Sequence, residues 1–319
     1  MLQDLHILTE EEFPQAILAI TEDLTARGHE GYLEGCGGCR LHYEYFLAEN
    51  SRASVVIVHG LSEFSKKYYE LIHYFLGQQY NVFICEHRCH GLSGRLTQRH
   101  DVLHTDSFDD YAEDLDRFIR QVVEPVDQRP LLLFAHSMGG AVAVIYMAKY
   151  RHNIRRAVFS SPLMQPVVGP VPHWVARTSV WMDNLRWGGK ARFRRTKDFD
   201  PDYPFEKAND ISYSRFYYNQ QMRCQNPEYQ TTPTSNGWVR GSLSLKSRLP
   251  RLGRKIRTPI LLLSAALDTT VENSAQYRFA KACPGCRLEV MKNSKHSMMT
   301  GDLETIRDFM VRMLQFFEE

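Results

Sequence analysis

The chain has 319 residues, about twice a common single-domain length, so one large domain or a core carrying an inserted lobe is expected. Hydrophobic residues at 43% and charged residues at 24% exclude a disordered or fibrous chain. A net charge of +2, from 39 Lys and Arg against 37 Asp and Glu, excludes a general nucleic-acid binder.

Residues 1–29 read as a helical segment, with Thr9 and Glu12 at capping-box spacing. The same stretch, with Glu10-Glu11-Glu12 and no basic or long apolar region, does not read as a secretory signal, and none is expected. No apolar run approaches the ~18 residues of a membrane span. A cytoplasmic location is expected. Gly31–Glu49 reads as a hairpin whose second arm alternates Leu41, Tyr43, Tyr45 and Leu47, with the turn at Cys36–Cys39. Strands and helices then alternate. Ser54–Val58 is a buried strand, Lys66–Gly77 a helix, Val82–Cys85 a strand, and Ser107–Val123 a helix capped by Ser107 and Asp110. Leu131–Phe134 follows as strand, Met138–Tyr150 as helix and Ala157–Ser160 as strand. The rhythm resumes with strand Pro259–Ser264, a helix from about Ser274, strand Leu288–Met291 and a C-terminal helix from about Leu303. This order predicts an α/β fold with a mostly parallel central sheet covered by helices on both faces.

The expected division is a core of residues 1–162 and 258–319 with residues 163–257 inserted as a lid. That insertion is rich in Trp, Tyr, Arg, Pro and Gly. It holds 17 Lys and Arg against 7 acids, or +10, which leaves −8 for the core. Trp174, Trp181 and Trp187 alternate there with Arg177, Arg186, Lys190, Arg192, Arg194, Arg195 and Lys197. An aromatic belt with basic neighbours suits an anionic lipid–water interface. The competing reading is a helical lid whose aromatics form its own core.

Leu131-Leu-Leu-Phe-Ala-His-Ser-Met-Gly-Gly140 sets Ser137 at a strand-to-helix corner, a G-x-S-x-G elbow with Ala135 in the first glycine position. The corner lifts the hydroxyl above the sheet and aims helix N–H groups at an incoming carbonyl. A serine hydroxyl needs a base, and the base an orienting acid. His296, directly after the last predicted strand, is the expected base, and His152 and His173 are poorer placed. Asp268, closing the preceding strand, is the expected acid, with Glu272 as a weaker substitute. His136 is read as structural. In His59-Gly60-Leu61-Ser62-Glu63, Gly60 lets the chain turn so that the Leu61 N–H converges with that of Met138 as an oxyanion hole. His59 is expected to brace that loop.

Together these residues resemble the α/β-hydrolases of the monoglyceride lipase and lysophospholipase branch. The matching segments are H-G-L-S-E with Tyr68, Glu86–Gly94 (E-H-R-C-H-G-L-S-G), Ser107-Phe-Asp-Asp-Tyr111 and A-H-S-M-G-G, in order. Gly94-Arg95-Leu96, Ser214-Arg-Phe-Tyr217 and Asn236-Gly-Trp-Val-Arg240 bring it closest to bacterial lysophospholipases. Glu86 and Cys89 depart from the Asp and Gly usual in the branch. The resemblance implies serine-esterase hydrolysis of lysophospholipid acyl chains, with the catalytic residues Ser137, Asp268 and His296. A monoacylglycerol lipase or short-chain carboxylesterase is the alternative within enzymes, and a non-catalytic binding protein the alternative outside them. The expected partners are a lipid ester substrate and an anionic membrane surface met through the basic lid.

Seven cysteines do not suggest a disulfide framework. Cys36/Cys39 and Cys283/Cys286 bracket Gly and Pro-Gly and read as turns, with a zinc half-site or redox pair as the competing reading. Cys85, His87, Cys89 and His90 are dense enough to suggest a metal, but alternating strand directions would keep them from one point. No metal and no cofactor are expected.

Overall fold

The computed structural model describes residues 5–169 and 171–319. Eight strands form one sheet: β1 (His29–Glu34), β2 (Arg40–Phe46), β3 (Ala53–Val58), β4 (Tyr80–Cys85), β5 (Leu131–His136), β6 (Ile154–Ser160), β7 (Ile260–Ala265) and β8 (Cys286–Met291). Their spatial order is β1-β2-β4-β3-β5-β6-β7-β8. The β1/β2 hairpin is antiparallel and joins β4 antiparallel, and every pairing from β4 to β8 is parallel. β3, β5 and β7 are buried at every residue, as strands covered on both faces must be.

The two faces are separated by alternate residues of the same strands. Val56, Val58, Leu131 and Leu133 face a core built with α3 (Phe108–Phe118), α4 (Met138–Lys149), the end of α7 (Asn236–Gly253) and α8 (Asn273–Ala282). Val55, Ile57, Leu132 and Phe134 face the other core, with α1 (Phe13–Arg27), α2 (Tyr69–Gly77) and α9 (Leu303–Glu318). Residues 163–257 carry α5 (His173–Trp187), α6 (Tyr213–Gln225) and α7, and α7 returns to the core through Leu245, Leu249 and Leu252. Among the described residues, no helix is long and apolar enough to cross a membrane.

Both expected capping boxes are present. The Thr9 N–H donates to Glu12 Oε2 at 2.9 Å and the Glu12 N–H to Thr9 Oγ1 at 3.2 Å. Residues 1–4 of the expected N-terminal segment lie outside the described residues. Ser107 accepts from the Asp109 N–H at 3.1 Å while Asp110 accepts from the Ser107 N–H at 3.1 Å. The helix expected over Ser107–Val123 departs from regular α geometry at Ile119, where one wide turn lets Ile119, Val122 and Val123 all reach the core.

β2 differs from its apolar-in, polar-out expectation. Leu47 lies past its end and is exposed, while His42, Glu44 and Phe46 are buried. The polar pair is tolerated because it is hydrogen-bonded. Glu44 accepts from Ser65 Oγ at 2.9 Å and from the Tyr69 hydroxyl at 3.1 Å. His42 Nδ1 lies 3.2 Å from Glu86 Oε2, and Glu86 also accepts the Ser65 and Leu92 N–H groups at 2.9 and 2.6 Å.

Candidate active site

β5 runs directly into α4, and the joint is Ser137, at φ 50° and ψ −116°. A non-glycine residue in that region costs of order 1–3 kcal/mol and persists only where surroundings impose it. Its N–H donates to Ser160 O at 3.0 Å and its carbonyl accepts the Leu163 N–H at 2.7 Å. Gly139 is required by packing: a Cβ there would lie 2.0 Å from the Val58 carbonyl oxygen and 2.8 Å from that of His59. The absent side chain seats the first turn of α4 against the end of β3.

The strand ends bring three of the expected residues together. Ser137 Oγ lies 2.8 Å from His296 Nε2, and His296 Nδ1 lies 2.7 Å from Asp268 Oδ2. The other Asp268 oxygen accepts the N–H groups of Thr270 at 2.8 Å and Val271 at 3.1 Å, which fixes the carboxylate. The Asp268 side chain has no exposed surface, and Ser137 and His296 are 8% and 7% exposed. Such a chain can activate a hydroxyl as a nucleophile and return the proton to a leaving group. Glu272 stands elsewhere, opening α8 with its N–H on Gln165 O. His152 accepts the Ile154 N–H below α4, and His173 opens α5.

The loop after β3 is held by a buried network. Glu63 accepts the Gly60 N–H at 2.6 Å, the Tyr68 hydroxyl at 2.5 Å and the Lys67 ammonium at 2.6 Å. Burial pushes its carboxyl pKa up, but the Lys67 charge and the bonds from Lys67 and Tyr68 outweigh this and hold it well below the usual range. His59 donates from Nδ1 to Gly60 O at 2.8 Å, so its Nε2 is free to accept the His87 N–H at 2.8 Å. Leu61 lies between these anchors. His136 Nε2 is 3.8 Å from Glu63 Oε1, and its ring centroid is 5.1 Å from that of His296.

Burial pushes His136 down to about 4, and it lowers His59, His87 and His90 as well. A histidine kept neutral in the fold binds fewer protons than its unfolded counterpart, so stability rises with pH between the two values. For His136 the window is about 4 to 6.5, and the full effect is roughly 3 kcal/mol. Glu44, raised to about 7 by burial, and His42, raised against its burial by Glu86, act in the opposite sense. The lowered histidines outnumber them. Urea midpoints are therefore expected to fall from pH 7 to pH 5, and an equal or higher midpoint at pH 5 would refute this balance.

The cysteines lie away from this chemistry and all seven are free. The Cys36–Cys39 turn is fastened by Asp114, which accepts the Cys36 N–H at 2.7 Å, and by Arg88, which donates to Cys36 O at 3.1 Å and to Asp114 at 2.7 and 2.8 Å. Cys36–Cys39 joins β1 and β2 while Cys283/Cys286 adjoins β8, at opposite edges of the sheet. His87 and His90 turn toward the His59 ring, with centroids 4.2 and 5.2 Å away. Glu30, His42 and Glu44 do bring potential ligand atoms within 4.8 Å of one another, on the edge hairpin. There the His42–Glu86 contact already balances buried charge.

On α5, Trp174, Trp181 and Leu185 recur at helical spacing and are 70%, 57% and 73% exposed, so they do not form a core for residues 163–257. Met182 and Trp187 are exposed beside them. Arg192 pairs with Asp198 at 3.1 Å and Arg194 with Asp183 at 2.7 Å. Arg177, Arg186 and Arg195 are exposed and form no salt bridge among the described residues.

Residues 49–304 match the Hydrolase_4 family, described as serine aminopeptidase, S33. The chain is 29% identical over 273 residues to the probable lysophospholipase L2 of Haemophilus influenzae, covering 84% of this chain and 85% of that protein. It is 26% identical over 306 residues to lysophospholipase L2 of Escherichia coli K12, covering 91% and 87%. A solved soluble variant of monoglyceride lipase from Saccharomyces cerevisiae, in complex with a substrate analogue, superposes with a TM-score of 0.72 at 17% identity, over 91% of this chain and 94% of that one. At that identity the superposition establishes the fold alone.

Proposed function

We propose that this chain, which belongs to the Hydrolase_4 family and is a serine hydrolase of esters, cleaves the carboxylic ester of single-chain acyl lipids, foremost lysophospholipids. The observation that carries this is the unbroken path from Ser137 through His296 to Asp268 at 2.8 and 2.7 Å. Ser137 Oγ attacks the ester carbonyl carbon as its proton passes to His296 Nε2, and Asp268 holds the imidazole and balances its charge. The N–H groups of Leu61 and Met138 receive the developing oxyanion. Collapse breaks the bond to the glyceryl oxygen, which leaves with the proton from His296, and water repeats the cycle on the acyl-serine to release the fatty acid.

The lipid class is supported by the lysophospholipase relatives and by the apolar stripe of α5. Residues 163–257 act as the cap, with α5 meeting the lipid surface. A fluorophosphonate probe should label the wild type and not Ser137→Ala. A panel of lysolipids, monoacylglycerols and p-nitrophenyl esters should show highest kcat/KM on lysolipid. Labelling that survives Ser137→Ala would defeat the nucleophile, and equal kcat/KM across the panel would defeat the substrate class.

Each cation near an anionic surface contributes about 1 kcal/mol, screened over about 10 Å at 0.1 M salt. Arg177, Arg186 and Arg195 changed together to Gln should therefore lower activity on anionic vesicles, relative to a soluble ester, by about tenfold or more at low salt. Wild-type vesicle activity should fall as salt rises. A salt response identical for vesicle and soluble substrates would make the charge a solvated face and favour a neutral glyceride.

A further inference from the structure

A cavity of about 410 Å³ lies between the loop after β3 and the segment before α6, and the mechanism above does not use it. Its wall includes Ser62, next to Leu61, and residues 207–210 of the inserted segment. That segment is tied to both neighbouring loops of the site. Asn209 bonds Thr270 Oγ1 at 2.9 Å, just past Asp268, and Lys295 donates to Ala208 O and Asp210 O at 3.1 Å each, just before His296.

The wall also holds Arg223. Its Nε donates to Tyr229 O at 3.0 Å and its Nη2 to Thr232 Oγ1 at 2.5 Å, and the guanidinium lies 4.4 Å over the Phe199 ring. Every one of these partners is neutral. Among the described residues Arg223 forms no salt bridge, and its Nη1 has no acceptor. Of the three carboxylates that line the cavity, Asp198, Asp200 and Asp210, the first pairs with Arg99 and Arg192, the second accepts the Asp202 N–H, and none forms a salt bridge with Arg223. Asp210 and Glu63 both favour the charged form of Lys67, which also feels Arg223 as a neighbouring like charge. Lys197 and Lys207 stand exposed at the rim, likewise without a salt bridge among the described residues. Burial pushes the Arg223 pKa down to about 10, as expected for a half-buried cation without a counter-ion. A guanidinium with its Nη1 unengaged is suited to donate to a phosphate oxygen.

We infer that this cavity is the phosphate subsite for the headgroup of the lysolipid substrate, with Arg223 as its principal donor and a specificity-determining residue. The inference rests on the substrate class proposed above and adds to it the group that distinguishes a lysophospholipid from a monoacylglycerol. With the ester at Ser137, the glyceryl phosphate would enter this cavity, and its negative charge would supply the counter-ion that Arg223 lacks.

The test compares wild type, Arg223→Gln and Arg223→Lys on palmitoyl lysophosphatidylethanolamine and on monopalmitoylglycerol. Arg223→Gln should reduce the ratio of the two kcat/KM values about tenfold, through KM for the lysolipid, and Arg223→Lys should restore most of it. A purely structural role would lower both substrates alike, so an unchanged ratio overturns the proposal. A second arm uses a soluble p-nitrophenyl ester as reporter and glycerophosphoethanolamine as competitor, with inorganic phosphate beside it. Competition by the glycerophosphodiester, weaker with inorganic phosphate and weaker in Arg223→Gln, supports the headgroup site. Absence of competition, or inorganic phosphate acting as strongly, overturns it. If wild type does not cleave lysolipid, the substrate class fails, and this second arm still decides whether the cavity binds the phosphodiester.

Discussion

Replacement of Ser137 or His296 by alanine is expected to lower kcat by about 10⁴-fold or more, and the double replacement to cost no more than either single one. In the proposed mechanism Ser137 Oγ, 2.8 Å from His296 Nε2, attacks only while that nitrogen can take its proton. Asp268→Asn keeps the shape but loses the charge that balances the imidazolium, and it should cost about 10³- to 10⁴-fold. Glu272 opens α8 and is not hydrogen-bonded to His296, so no rescue from it is expected. His296→Ala enzyme with near-normal turnover would remove His296 from the mechanism. The same site makes a stability prediction. Because Ser137 sits at φ 50°, Ser137→Gly should be inactive yet more stable than Ser137→Ala, by about 1–3 kcal/mol. Equal urea midpoints for the two variants would show that the corner stores no strain.

Glu63→Gln carries the second large effect. The substitution keeps the size but leaves the Lys67 ammonium, whose side chain is 17% exposed, without its 2.6 Å partner. Breaking a buried pair in this way costs about 3–5 kcal/mol. Adding Lys67→Met should recover a large part of the loss by removing the stranded charge, a coupling that a double-mutant cycle reads directly. Gly60 also loses the anion that accepts its N–H at 2.6 Å, so the loop bearing Leu61 loosens and kcat should fall more than KM rises. An unfolding midpoint for Glu63→Gln within error of wild type would show that this network does not hold the loop.

Much of this was legible in the chain itself because local rules carry it. The short, largely apolar stretches Ser54–Val58 and Pro259–Ser264 read as central strands because no exposed face would tolerate them, and β3 and β7 are buried at every residue. Ser107 with Asp110 marks a helix start because four N–H groups there need acceptors. A small residue two places after Ser137 is a steric demand of the corner, shown by the Val58 carbonyl beneath Gly139. The buried carboxylates were not legible. Glu44 alternates with apolar residues as a solvent-facing position would, and its acceptance of Ser65 and Tyr69 depends on where the loop after β3 folds back. Glu63 carried a weak signal, its i,i+4 spacing to Lys67, but that pattern is common on exposed helices and says nothing of burial.

By itself, then, the amino-acid sequence determined the alternation of strands and helices, the elbow at Ser137, and the chain order that singles out Asp268 and His296. The first two follow from periodicity and steric fit within short stretches, and the third from the order of strands along the chain. Only the tertiary structure decided which charges are neutralised and which are not. Arg192 and Arg194 read like Arg223 in the sequence, yet the first two meet Asp198 and Asp183 while Arg223 meets only carbonyls, a hydroxyl and a ring. Likewise Trp174 and Trp181 could have been the core of the insertion, and it is the packing of α5 that leaves them in solvent. Charge pairing and exposure depend on contacts between residues distant in the chain, and no local pattern encodes such contacts.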